Sequence, residues 1–144
     1  MQYKQLGQTI YLRVDKGEEI LTQILKVCAG AGIKSATFSG IGACQAAVLS
    51  TYLPDRNDFT DHHLSGMLEL VSLSGNITFD GEVLYEHAHA TFSELGRDGE
   101  PRVVAGHLTS ATVMYTGEIT IQPVAGVIPR KFDDNVGITV WDLD

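Results

Sequence analysis

Apolar and polar residues alternate over short stretches along most of this chain, and one stretch alone departs from that rhythm. Residues 9–14, Thr-Ile-Tyr-Leu-Arg-Val, put every second side chain on one face and predict a β-strand. Ile20, Leu21, Ile24, Leu25, Val27 and Cys28 then recur at i, i+3, i+4 spacing, which predicts an amphipathic helix over residues 17–29. Asp15 and Glu18 have capping-box spacing, in which each side chain accepts from an orphan backbone N–H at the helix start. Gly30 and Gly32 supply the left-handed conformation that ends a helix. Beyond them the period returns to two. Strands are predicted over residues 35–41, 46–53, 64–73, 83–92, 102–108 and 112–121, with 138–143 as a last strand or packed tail. Turn chemistry at residues 54–58, a Ser-Gly-Asn break at 74–76 and a polar, glycine-bearing stretch at 94–101 separate them. Antiparallel strands with a single helix predict an α+β fold, a sheet with one main helix packed on it, in one domain of residues 1–144.

Composition narrows the setting. With 44% hydrophobic and 19% charged residues the chain reads as a soluble globular protein. No apolar run approaches the roughly 18 residues that span a bilayer, and the N-terminus has no signal-peptide pattern, so no membrane association is expected. Cys28 and Cys44 are too far apart for a Cys-x-x-Cys motif and read as free, buried thiols. A cytoplasmic location is therefore expected. Charge matters more: 10 Lys and Arg against 18 Asp and Glu give a net charge of −8. The basic residues are scattered, and Arg130-Lys131 is their one adjacent pair. Affinity for nucleic acid comes mainly from cations neutralising phosphates, so direct DNA binding by the isolated chain is disfavoured.

The histidines carry the candidate chemistry. His87 and His89 lie two apart on a predicted strand and so project from one face. If the following hairpin folds about Asp98, His107 falls directly opposite His89. Cross-strand Cβ atoms lie roughly 4.5–5.5 Å apart, close enough for the rings to share a metal. Three neutral imidazoles with a fourth position left to water is the open zinc geometry. The plainer alternative is three half-buried, hydrogen-bonded polar residues. His62 and His63 are adjacent, point to opposite faces and are placed at a strand start. Glu69, Glu86 and Glu118 lie on strands that border the site in this reading, with Glu118 or Glu86 as a proton acceptor or an imidazole partner. Ser39-Gly40-Ile41-Gly42-Ala43 lacks the Lys-Ser/Thr of a phosphate loop, and reads as a loop where backbones cross closely. Ser39, Ser72 and Ser74 lack a nucleophile elbow. The apolar stretch at residues 66–71 reads as core strand or subunit contact.

Several of these segments, taken in order, resemble the PPC domain (plants and prokaryotes conserved). They are Asp15-Lys16-Gly17-Glu18, Ser39-Gly40-Ile41-Gly42-Ala43, Leu68-Glu69-Leu70-Val71-Ser72-Leu73-Ser74-Gly75-Asn76-Ile77, His87-Ala88-His89 and Val103-Val104-Ala105-Gly106-His107-Leu108. The likeness runs from about residue 8 to 143. It implies an antiparallel α+β fold assembled as a homotrimer, with His87, His89 and His107 as ligands of zinc or another divalent transition metal. Ala105 stands where a glycine is common in that family, and Met67 where the plant domain's partner-binding hexapeptide has an arginine. Plant relatives contact DNA through a separate Arg-Gly-Arg-Pro hook, and no such hook occurs here. Three readings follow. The first is a cytoplasmic homotrimeric metal-binding module, with a protein as a further partner. The second is a zinc-dependent hydrolase or hydratase of a small substrate, which needs a concave pocket over the metal. The third is sequence-tolerant DNA binding through a basic patch formed only in the trimer.

Overall fold

The computed structural model describes all 144 residues. In chain order the elements are β1 (Gln2–Leu6), β2 (Thr9–Asp15), α1 (Ile20–Gly30), β3 (Ala36–Leu53), β4 (Asp58–Phe79), β5 (Leu84–Leu95), β6 (Pro101–Pro123), β7 (Arg130–Asp133) and β8 (Ile138–Trp141). A 3-10 turn at Pro54–Arg56, closed by Asn57 in the left-handed conformation, joins β3 to β4. The six longer-range strands pair antiparallel in the order β1-β2-β6-β3-β4-β5, and β5 pairs again with β6. That second pairing curls the sheet into a ring of β6, β3, β4 and β5. β7 and β8 form a separate two-stranded ribbon. The expected α+β architecture is present, and no helix is long and apolar enough to cross a membrane.

Two expected interruptions are not interruptions. Residues 39–43 were expected to be a loop, yet they lie inside the 18-residue β3. Register shifts between Gly40 and Gly42 and between Cys44 and Ala46 bend the strand while it keeps pairing. A Cβ on Gly42 would collide with the Thr116 carbonyl of β6, so the glycines serve close backbone approach, as the sequence suggested. The Ser-Gly-Asn at 74–76 likewise sits inside the 22-residue β4, with Gly75 pressed against the Phe38 ring. Residues 102–108 and 112–121 form one strand, β6, bent by shifts opposite Val48 and Leu49. Neither β1 nor β7 was expected, because β1 is exposed at every position and β7 is no more than half-buried.

The helix starts three residues later than the pattern indicated. Asp15 N–H does donate to Glu18 (2.9 Å), but this closes a turn before the helix. The cap is Glu19, whose carboxylate accepts from Leu21 N–H (3.1 Å) and Thr22 N–H (2.7 Å). At the other end Gly32 takes φ +67°, and the bonds Ile33 N–H to Cys28 O and Gly32 N–H to Ala29 O make a Schellman motif. Ile20, Leu21, Ile24, Val27 and Cys28 bury the helix face in a core of 25 residues, shared with Leu12, Val14, Phe92, Val113 and Ile119. α1 packs on β2, β5 and β6, which leaves the opposite face of the ring to the histidines.

Candidate metal centre

Strand alternation aims the candidate histidines. On β5, Ala88, Ala90 and Phe92 are buried in the core, so Tyr85, His87 and His89 point to the outer face. The turn after β5 fixes what faces them. Gly96 N–H donates to Glu100 O (2.8 Å), Gly99 N–H donates to Gly96 O (2.9 Å), and Gly99 adopts φ +81°. The Asp98 carboxylate accepts from Glu100 N–H (3.3 Å) and from Arg102 Nη2 (3.0 Å). With that bend, Leu95 pairs with Pro101 and the ladder runs without a shift to His89 opposite His107.

The three rings form a triangle. Centroids are 5.3 Å apart for His87 and His89, 5.2 Å for His87 and His107, and 5.5 Å for His89 and His107. One ligand nitrogen from each lies within 4.8 Å of the other two. Zinc–nitrogen bonds of about 2.0–2.1 Å put tetrahedral ligand atoms about 3.4 Å apart, so small side-chain rotations complete a coordination set. His87 and His107 are half-buried and His89 is exposed. Burial, then the neighbouring imidazoles, and for His87 also Arg130, hold the pKa values of His87 and His107 below the ordinary 6.5. Both rings are therefore neutral at pH 7 with a lone pair free for a cation, and the donor set suits a borderline metal.

The surroundings include residues that the sequence did not single out. The Phe59 ring lies 5.9 Å from that of His107, and Tyr52 lies 5.2 Å from Phe59. Ser50 pairs with both His107 and Asp61; its hydroxyl donates to Asp61 Oδ1 (2.6 Å) and lies 2.8 Å from Thr109 Oγ1. Asn76 pairs with His87, and its buried Oδ1 has no donor in the chain, as suits an acceptor for an imidazole N–H. On the far side the Arg130 guanidinium lies over the Tyr85 ring, 4.5 Å from its centroid. Alternation could have found Tyr85, two residues before His87. Arg130 and Phe59 come from distant segments without periodic signal.

The other candidates fall elsewhere. His62 and His63 lie within β4 opposite Leu49 and Val48, outside the triad, and His62 Nε2 is 3.1 Å from Thr51 Oγ1. None of Glu69, Glu86 and Glu118 joins the triad. Glu86 alternates to the other face of β5, and Glu118 sits opposite Arg13 and Ile41 in a groove of about 750 Å³. Glu69 lines an adjoining groove of about 390 Å³ that shares Ile41, Val71 and Glu118 with the first. Neither of these grooves, nor a third of about 500 Å³ beside α1, is lined by a histidine. Cys28 and Cys44 are free and buried, and burial pushes both thiols up to about 11, which keeps them protonated.

Residues 1–125 match the Plants and Prokaryotes Conserved (PCC) domain, the family the sequence resembles. No curated protein matches. Among solved structures, a metal-containing protein from Archaeoglobus fulgidus is 32% identical with a TM-score of 0.82, over 98% of each chain. A plant- and prokaryote-conserved protein from Pyrococcus horikoshii is 30% identical with a TM-score of 0.80, over 98% of this chain and 94% of that one. A candidate DNA-binding protein from Bacteroides thetaiotaomicron is 28% identical with a TM-score of 0.89, over 98% of this chain and 96% of that one.

Proposed function

The chain belongs to the Plants and Prokaryotes Conserved (PCC) domain family, and from that premise we propose that it is a cytoplasmic, homotrimeric metal-binding module whose residues 1–144 act as one domain. His87, His89 and His107 hold zinc or a related divalent transition metal. The observation that carries this reading is the convergence of three imidazole nitrogens within 4.8 Å. The Archaeoglobus relative, named as metal-containing, adds support. The trimer is what the family resemblance implies, and self-association is supported by the outer sheet face, where Tyr11, Ile41 and Val71 are half-exposed around one groove. A protein partner is the expected target of the assembly.

Bound in this set, the metal would supply Lewis acidity at one open position. The residues themselves orient it: neutral imidazoles donate, and the β5–β6 register holds His89 against His107. The hydrolase reading draws no support from the three grooves described, none of which is lined by a histidine. Direct DNA contact is opposed by the net charge of −8. Metal analysis of the purified protein beside His89→Ala tests the proposal. About one metal per chain is expected in the wild type and a large loss in the variant; equal contents would remove the site.

A further inference from the structure

The triad contains no acidic ligand, so a divalent cation held there keeps its full charge. A second positive charge lies beside it. The Arg130 guanidinium rests on Tyr85, which shares the outward face of β5 with His87, one two-residue step away, roughly 7 Å along the strand. Arg130 Nη2 donates to Thr139 O (2.8 Å) across the β7–β8 ribbon. Its Nε and Nη1, by contrast, are shielded from solvent and have no acceptor in the chain. The chain's ion pairs involve Arg13, Arg102, Lys131 and the N-terminus, not Arg130. A guanidinium withdrawn from water without a counter-charge is costly, and its planar fork matches the two oxygens of an oxyanion.

We propose that the three-histidine centre takes a small oxyanion, a carboxylate or phosphate group, in its fourth position and that Arg130 grips the same anion. The inference rests on the metal-binding reading above. It assigns the open position a chemical class: one oxygen faces the metal, a second faces the guanidinium, and the anion offsets part of their combined positive charge. The β7–β8 ribbon delivers the arginine. It pairs over only four residues a strand, and Phe79 N–H to Ile128 O (3.4 Å) and Ile128 N–H to Ser35 Oγ (2.7 Å) tie its root to the body. Because Nε and Nη1 are shielded, gripping the anion shifts Arg130 and the ribbon with it. Trp141, the one tryptophan, pairs directly with Arg130 and reports that shift.

The test loads the full chain with cobalt(II) and titrates it separately with acetate and inorganic phosphate, against sodium chloride at equal ionic strength. A saturable change in cobalt absorption and in Trp141 emission, with one shared midpoint, is expected for the oxyanion the site prefers. Arg130→Met should raise that midpoint about tenfold or more while one metal per chain remains, and Arg130→Lys should fall between. Whichever probe saturates at lower concentration identifies the head group. An unchanged midpoint in Arg130→Met, or an equal response to chloride, overturns the proposal but leaves the metal site standing. If the wild type takes up no metal, both readings fall.

Discussion

His87 and His107 are held below their ordinary pKa of 6.5 chiefly by burial, and the sign of that shift has two consequences. In the metal-free protein the unfolded chain takes up protons on these imidazoles more readily than the folded one. Their contribution to stability is therefore complete above about pH 6.5 and is lost as pH falls from there through the depressed folded values. Urea unfolding of metal-free protein should give midpoints that decline as pH drops below 6.5, and His107→Gln should flatten the decline. A slope unchanged by the substitution would show that other groups set it. Protons also compete with the metal, so metal bound at pH 7.5 should be released by about pH 5, as dialysis and metal analysis would reveal. Gly42 makes a separate case. A methyl group there meets the backbone of Thr116 and Gly117 rather than a flexible side chain. Gly42→Ala should cost about 1–3 kcal/mol in chemical denaturation, whereas Gly30→Ala, with open space around it, should not lower stability.

At the level of elements, Glu19 links the helix to the sheet. Its carboxylate caps Leu21 and Thr22 and also accepts from Ala111 N–H of β6 (3.1 Å). Glu19→Ala orphans three backbone donors and should lower stability by about 2 kcal/mol, with Glu19→Gln restoring part. A loss confined to helical circular dichroism, with the unfolding midpoint unmoved, would show that the bond to β6 is idle. The sequence pointed to Asp15 and Glu18 instead, since capping-box spacing is local and the choice of Glu19 is made by β6. The same division explains the rest. The β5–β6 hairpin was legible because Gly96, Asp98 and Gly99 set its turn locally, and the turn alone determines that His89 meets His107. The length of β3 and β4 was not legible, because Gly40, Gly42 and Gly75 read as breaks until the backbone or ring packed against each is known. Phe59, Asp61 and Arg130 reach the site through register and chain return, which periodicity cannot encode.

Across the whole molecule, one cross-strand row joins the histidine triad to the groove. It runs from His107 through His89, Ser74, Ser39 and Thr120 to Tyr11, each the register partner of the next. At about 4.8 Å between strands, His89 and Tyr11 stand about 19 Å apart on the same curved face. Ile41, 56% exposed, and Val71, 53% exposed, lie beside that row. Apolar exposure of this kind on a continuous sheet face suits burial against further copies of the chain. The family resemblance implies three copies, so sedimentation should give a particle three times the 15.6 kDa chain mass, and Ile41→Arg should dissociate it. All three proposed ligands, His87, His89 and His107, come from one chain, so the dissociated Ile41→Arg protein should still bind about one metal per chain. Wild-type sedimentation at 15.6 kDa would sink the trimer and leave the metal site untouched. Loss of metal on dissociation would instead mean that a neighbouring copy holds the histidine face in its binding arrangement, because contact at Ile41 of β3 reaches His89 of β5 through a single intervening strand, β4.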